Sequence, residues 1–205
     1  MEESTVTIRN WIKFFFSTLL VGGFVSGILG FVIRWDEFSP YFTNGEIGAI
    51  LSTFIWLMGV GFTFSVISQM GFFAYLTVHR FGLGIFRTIS LWNGVQWVLI
   101  CIVLFDLVYF RFQAFADEGE SLVPYLLLAG FILLFGAVIA YFKAKQTNKQ
   151  TFVSALFFMV VVTVVEWLPV LTTNEQSWLY LMLFTLLACN AYQLLMLPKY
   201  NTKKA

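Results

Sequence analysis

The chain has 205 residues, 60% of them hydrophobic, 20% aromatic and only 11% charged, with a formal net charge of +1. A soluble globular domain is about 25% charged, so the polar shell that a water-soluble core of this size needs is missing. A net charge this close to zero also leaves no electrostatic footprint for a nucleic acid or an acidic substrate.

Long uncharged runs carry most of the apolar residues. They fall at 14–33, 47–78, 88–105, 121–142, 151–165 and 178–198, and a membrane-spanning helix needs about 20 such residues. The first run exceeds a signal-peptide core of about 7–15 residues, so it is expected to stay as a helix. Within it Gly22, Gly23, Ser26, Gly27 and Gly30 form a small-residue face. Such a face suits close helix packing inside the chain, or docking of a partner's transmembrane helix.

The second run is too long for one upright span and too short for two. It is divided into a span at 47–68 and an aromatic continuation at the interface, with Gly82 and Gly84 making a turn before the third helix. This continuation mixes Phe72, Phe73, Tyr75, Phe81 and Phe86 with His79, Arg80 and Arg87. Aromatic and basic residues together suit the headgroup level, and Phe, Tyr and Arg also suit protein docking. The candidate partner-docking residues are therefore His79, Arg80, Phe81, Phe86 and Arg87. Gly82-Leu-Gly84 lacks the full dinucleotide fingerprint.

The third helix, about 88–108, carries Asn93 and Gln96, and the sixth, about 178–197, carries Asn190 and Gln193. Both pairs have i, i+3 spacing, for which interhelical amide hydrogen bonds are the default. The fourth span is 121–142. The fifth, 151–171, encloses Glu166 just before Trp167 and Pro169. A mid-bilayer charge is costly, so Glu166 is placed in a polar cluster at the outer level with Arg34, Asp106 and Arg111. A proton relay or small-cation site is the alternative, and with it a small transporter or solute-binding protein. No nucleophile or metal-ligand pattern accompanies the acids: CxxC and HExxH are absent, Cys101 and Cys189 lie in apolar runs, and no cofactor is expected.

The expected fold is all-α: a polytopic integral membrane protein, one membrane domain over 1–205, with six transmembrane helices. Basic residues set its orientation. Arg9, Lys13, Arg80, Arg87, Lys143, Lys145, Lys149, Lys199, Lys203 and Lys204 fall on one side, Arg34 and Arg111 on the other. Both termini are thus expected to be cytoplasmic. Trp11, Trp35, Trp92, Trp167 and Trp178 fall near helix ends, as an interfacial aromatic belt requires.

The stretch from Gln69 to Arg87, then Leu91-Trp-Asn-Gly-Val-Gln96, resembles the KinB-signalling pathway activation family of spore-forming bacilli. So does the opening Arg9-Asn-Trp-Ile-Lys13 before the glycine-rich first helix. The resemblance covers essentially the whole chain. It implies a plasma-membrane protein that activates a membrane-bound sensor histidine kinase feeding the sporulation phosphorelay, and the expected action is non-enzymatic. It carries no active-site residues.

Overall fold

The computed structural model describes residues 8–173 and 175–201. Lys203 and Lys204, counted above toward the basic tail, lie outside the described residues. Every regular element among those residues is helical: α1 (Ile8–Ile33), α2 (Trp35–Thr43), α3 (Ile47–Phe86), α4 (Ile89–Phe115), α5 (Val123–Gln146), α6 (Thr151–Leu171) and α7 (Gln176–Asn201). Six of them, all but α2, are long and apolar enough to cross a membrane.

The chain divides into two compact units: residues 1–70 with 175–205, and residues 71–174. In the first unit α1, the beginning of α3 and α7 converge on small residues. A Cβ on Gly22 would stand 2.6 Å from Ser65 Cβ, 2.9 Å from the Gly61 carbonyl oxygen and 3.0 Å from Cys189 Sγ. Ser65 donates to the Thr18 carbonyl (3.0 Å), freeing itself from its own helix to tie α3 to α1. Deeper hydroxyls and amides tie α3 to α7: Ser68 donates to Asn190 Oδ1 (2.7 Å), and Gln193 donates to Ser68. These are the interhelical amide bonds expected of that pair. At the chain ends Asn10 donates to the Tyr200 carbonyl (3.0 Å) and Tyr200 to Ser17 Oγ (3.1 Å), while the Phe14 and Tyr200 rings meet edge-on.

Helix α2 was not expected. Asp36 and Glu37 favour its first turn, and Phe38 and Phe42 project to Phe31 (5.5 and 5.3 Å between ring centroids). The acids and the three- and four-residue aromatic spacing were legible signals.

In the second unit α6 is mostly buried, while α4 and α5 leave about half of their residues exposed. Its central Phe158–Val162 segment is a π-helical turn. That turn presents Met159 and Val160 to Gly136 of α5, each 3.2 Å from where a Cβ on that glycine would lie. Trp92 and Trp167, expected near helix ends, lie there and are 5% and 0% exposed. They are packing residues of this unit.

The turn expected at Gly82 and Gly84 does not form. Helix α3 is continuous over 40 residues, about 60 Å at 1.5 Å per residue, and Gly82 and Gly84 lie within it. A helical glycine costs only about 1 kcal/mol relative to alanine, and Gly82 has a steric reason to be there. The Trp92 indole occupies the space a Cβ would need, at 2.6 Å. The turn comes later, at Arg87 and Thr88.

Candidate functional site

The α3–α4 turn is built by a residue in an unusual conformation. Arg87 has φ +57°, in the left-handed region that glycine enters freely and other side chains enter at about 1–2 kcal/mol. Thr88 then returns to extended backbone (φ −129°, ψ 140°) and caps α4, the Leu91 N–H donating to its Oγ1 at 3.3 Å. An arginine thus stands where glycine would close the same turn without strain.

Trp92 anchors this turn from below. Its Nε1–H donates to His79 Nδ1 (3.0 Å), and its ring stacks on Phe86 (5.6 Å, 20° between planes). Accepting at Nδ1 fixes the neutral imidazole with its proton on Nε2. The sole histidine is thus a bracing group between α3 and α4. Further braces run inward. Tyr75 donates to the Ser154 carbonyl (2.8 Å), Ser154 donates to Gln96 Oε1 (3.1 Å), and Phe72 meets Phe158 edge-on at 5.5 Å.

Of the five docking candidates, His79 and Phe86 are therefore half-buried supports. Arg80, Phe81 and Arg87 are exposed, Phe81 by 67%. The result is two guanidiniums and a phenyl ring on a helix end braced by Trp92. Rigid presentation lowers the ordering cost of docking. Trp92 is the residue sequence reasoning missed: its place beside Gly82 depends on the chain reversing at Arg87, and only Gly82 itself hinted at a large neighbour.

The five small residues of α1 are all buried. Gly22 and Ser26 lie against Gly61, Gly23 against the Phe62 ring, Gly27 against the Phe54 ring and Gly30 against Leu57. This face is filled from within its own unit.

The four members of the outer polar cluster occupy different settings. Arg34 pairs with Glu37 at 2.6 Å and lies over the Trp178 ring at 5.1 Å, all in the first unit. In the second unit Asp106 and Arg111 line one groove between α4 and α6. Arg111 donates to the Leu171 carbonyl (3.2 Å) and lies 5.0 Å over the Phe115 ring. Glu166 does not line that groove; it is 6% exposed, its carboxyl against Gly71 of α3.

Comparison with known proteins identifies the chain's relatives. The model of the KbaA family, described as KinB-signalling pathway activation in sporulation, matches residues 22–200. The chain belongs to this family. It is 54% identical over 195 residues to the KinB-signaling pathway activation protein of Bacillus subtilis (strain 168), covering 95% of this chain and 98% of that one. No solved structure matches. The matched region takes in both the braced turn and the α1–α3 glycine contact, so neither lies outside the family's extent.

Proposed function

We propose that this chain is a multi-pass plasma-membrane protein with both ends cytoplasmic, and that it promotes signalling through KinB as a non-enzymatic activator of that membrane-bound sensor histidine kinase. The kinase in turn feeds the sporulation phosphorelay. The observation that carries the pathway assignment is the 54% identity, over nearly both full lengths, to a protein named for that activity. The ten-to-two asymmetry of basic residues supports the orientation. Alkaline phosphatase fused after Ala205 should be inactive, and fused within the 117–120 loop it should be active; the reverse pattern refutes the topology.

Activation without chemistry requires that the activator bind the kinase's active state more tightly than its inactive one. The exposed Arg80, Phe81 and Arg87 on a braced helix end suit such a contact. A basic residue near an anionic surface contributes about 1 kcal/mol, so losing two weakens docking on the order of 30-fold. Arg80→Glu/Arg87→Glu, with compensating lysines elsewhere in the loop to preserve insertion, is expected to reach the membrane at normal levels yet lose KinB-dependent sporulation. A correctly inserted double variant with full sporulation removes this turn from the mechanism.

Arg87→Gly separates the backbone from the side chain. Glycine takes φ +57° without strain, so thermal stability in detergent should be equal to the parent's or higher while signalling falls. Undiminished signalling by this variant assigns the arginine a purely local role.

A further inference from the structure

Two grooves open on the surface of the second unit, and they differ in one chemical respect. One, of about 500 Å³ between α4 and α5, is lined by Leu, Phe, Val, Tyr, Ala and Gly and carries no charged side chain. The other, of about 580 Å³ between α4 and α6, has similar apolar walls but includes both Asp106 and Arg111. If α4 and α6 span a bilayer, as proposed above, both grooves face acyl chains. Only the second offers groups that could recognise a lipid's polar end.

The order of those groups along α4 defines the ligand. Arg111 lies four residues from the helix end at Phe115, which in a spanning α4 places it near the headgroups. Asp106 lies five residues deeper, about 7.5 Å along the axis. Leu107 and Phe110 lie between them along α4, with Leu168 on the facing α6, and Val103 and Val164 line the deeper end. An occupant thus meets a guanidinium first, which suits a phosphate. It meets a carboxylate next, and an apolar wall thereafter. The carboxylate sits where a phospholipid carries its glycerol. A diacyl lipid has only ester oxygens there, acceptors that a carboxylate cannot satisfy. A monoacyl glycerophospholipid has a free hydroxyl at that carbon, which donates.

We propose that the α4–α6 groove binds a monoacyl glycerophospholipid, its phosphate on Arg111, its glycerol hydroxyl donating to Asp106 and its single chain leaving past Val103 and Val164. This rests on the membrane-spanning assignment and is independent of the KinB contact, which is built from Arg80, Phe81 and Arg87.

The test uses the full chain purified in dodecyl maltoside. It is titrated with palmitoyl lysophosphatidylethanolamine or its diacyl counterpart, and bound lipid is read by mass spectrometry of the intact complex. Saturable binding of the monoacyl lipid is expected, about tenfold tighter than that of the diacyl lipid. Asp106→Asn replaces an acceptor by a group that can donate to an ester carbonyl, so the preference should vanish or invert. Arg111→Gln should weaken both lipids about tenfold or more. Because Arg111 also holds the Leu171 carbonyl, Leu168→Trp serves as a second variant: it fills the groove from the α6 side and should abolish binding. Leu126→Trp, in the uncharged groove, should leave binding unchanged. Equal retention of both lipids by the parent, Asp106→Asn and Leu168→Trp proteins shows annular lipid only and overturns the proposal. A chain that fractionates without detergent overturns the membrane assignment itself, a separate failure.

Discussion

Gly61→Leu is expected to remove the protein from the membrane fraction. A Cβ at position 61 would strike the Gly22 carbonyl oxygen and come within 2.5 Å of Ser26 Cβ. The reciprocal Cβ on Gly22 would meet the Gly61 carbonyl at 2.9 Å. Both collisions are with backbone, so no rotamer relieves them and α1 must move away from α3. Overpacking of this kind costs about 1–3 kcal/mol for a single added group. Leucine adds a full side chain and also breaks the Ser65–Thr18 bond at 3.0 Å. Gly61→Ala should therefore melt at a visibly lower temperature in detergent, and Gly61→Leu should not accumulate. The neighbouring stripe members are graded differently: Gly23, Gly27 and Gly30 face the side chains of Phe62, Phe54 and Leu57, which have some freedom to turn. Gly59→Leu is the control, since nothing lies within 4 Å of that site. If Gly61→Leu and Gly59→Leu accumulate and melt alike, the close α1–α3 approach is refuted.

That contact shows what the sequence could and could not say. The Gly22–Gly30 stripe announced a close helix approach, because only small residues let backbones near one another. It did not say which helix approaches. The α3 side offers Gly61 and Ser65 in a run already crowded with apolar residues, without a comparable stripe. The six apolar stretches were legible for a similar reason: hydrophobicity locates the part of a helix that avoids water. Helix ends were less so. Helix α1 already includes Ile8 and Arg9, and α4 continues to Phe115, because polar flanks such as Arg9 and Arg111 extend a helix without interrupting its hydrogen bonds. Glycine misled for the opposite reason. At positions 82 and 84 it marked a turn in the sequence, yet in α3 it serves tertiary packing at 82, and the turn falls on an arginine. Arg34 was expected to face distant carboxylates, and its partner Glu37 lies three residues away. The Trp92–His79 bond joins residues 13 apart, a distance that no helical or strand period encodes.

The contact between Gly71 and Glu166 predicts a change of sign. A Cβ on Gly71 would overlap Glu166 Oε1 and stand 2.7 Å from its Cδ. Glu166 is 6% exposed and engaged by its surroundings, so its carboxyl cannot swing aside without losing interactions that a buried charge or acid requires. Gly71→Ala should therefore destabilise the protein by about 1–3 kcal/mol, read as a lower melting temperature in detergent. In a Glu166→Ala background the obstruction is gone. There Gly71→Ala should be neutral or stabilising, by up to about 1 kcal/mol, because alanine is the better helix former. Glu166→Gln distinguishes shape from charge. The amide has nearly the carboxyl's size, so a steric cause keeps Gly71→Ala costly in that background, whereas an electrostatic cause lifts the cost. Four melting curves for the Glu166→Ala cycle, and two more for Glu166→Gln, decide it. Additive effects of Gly71→Ala and Glu166→Ala would show that the carboxyl does not lie against α3, and the buried placement of Glu166 would fall with it.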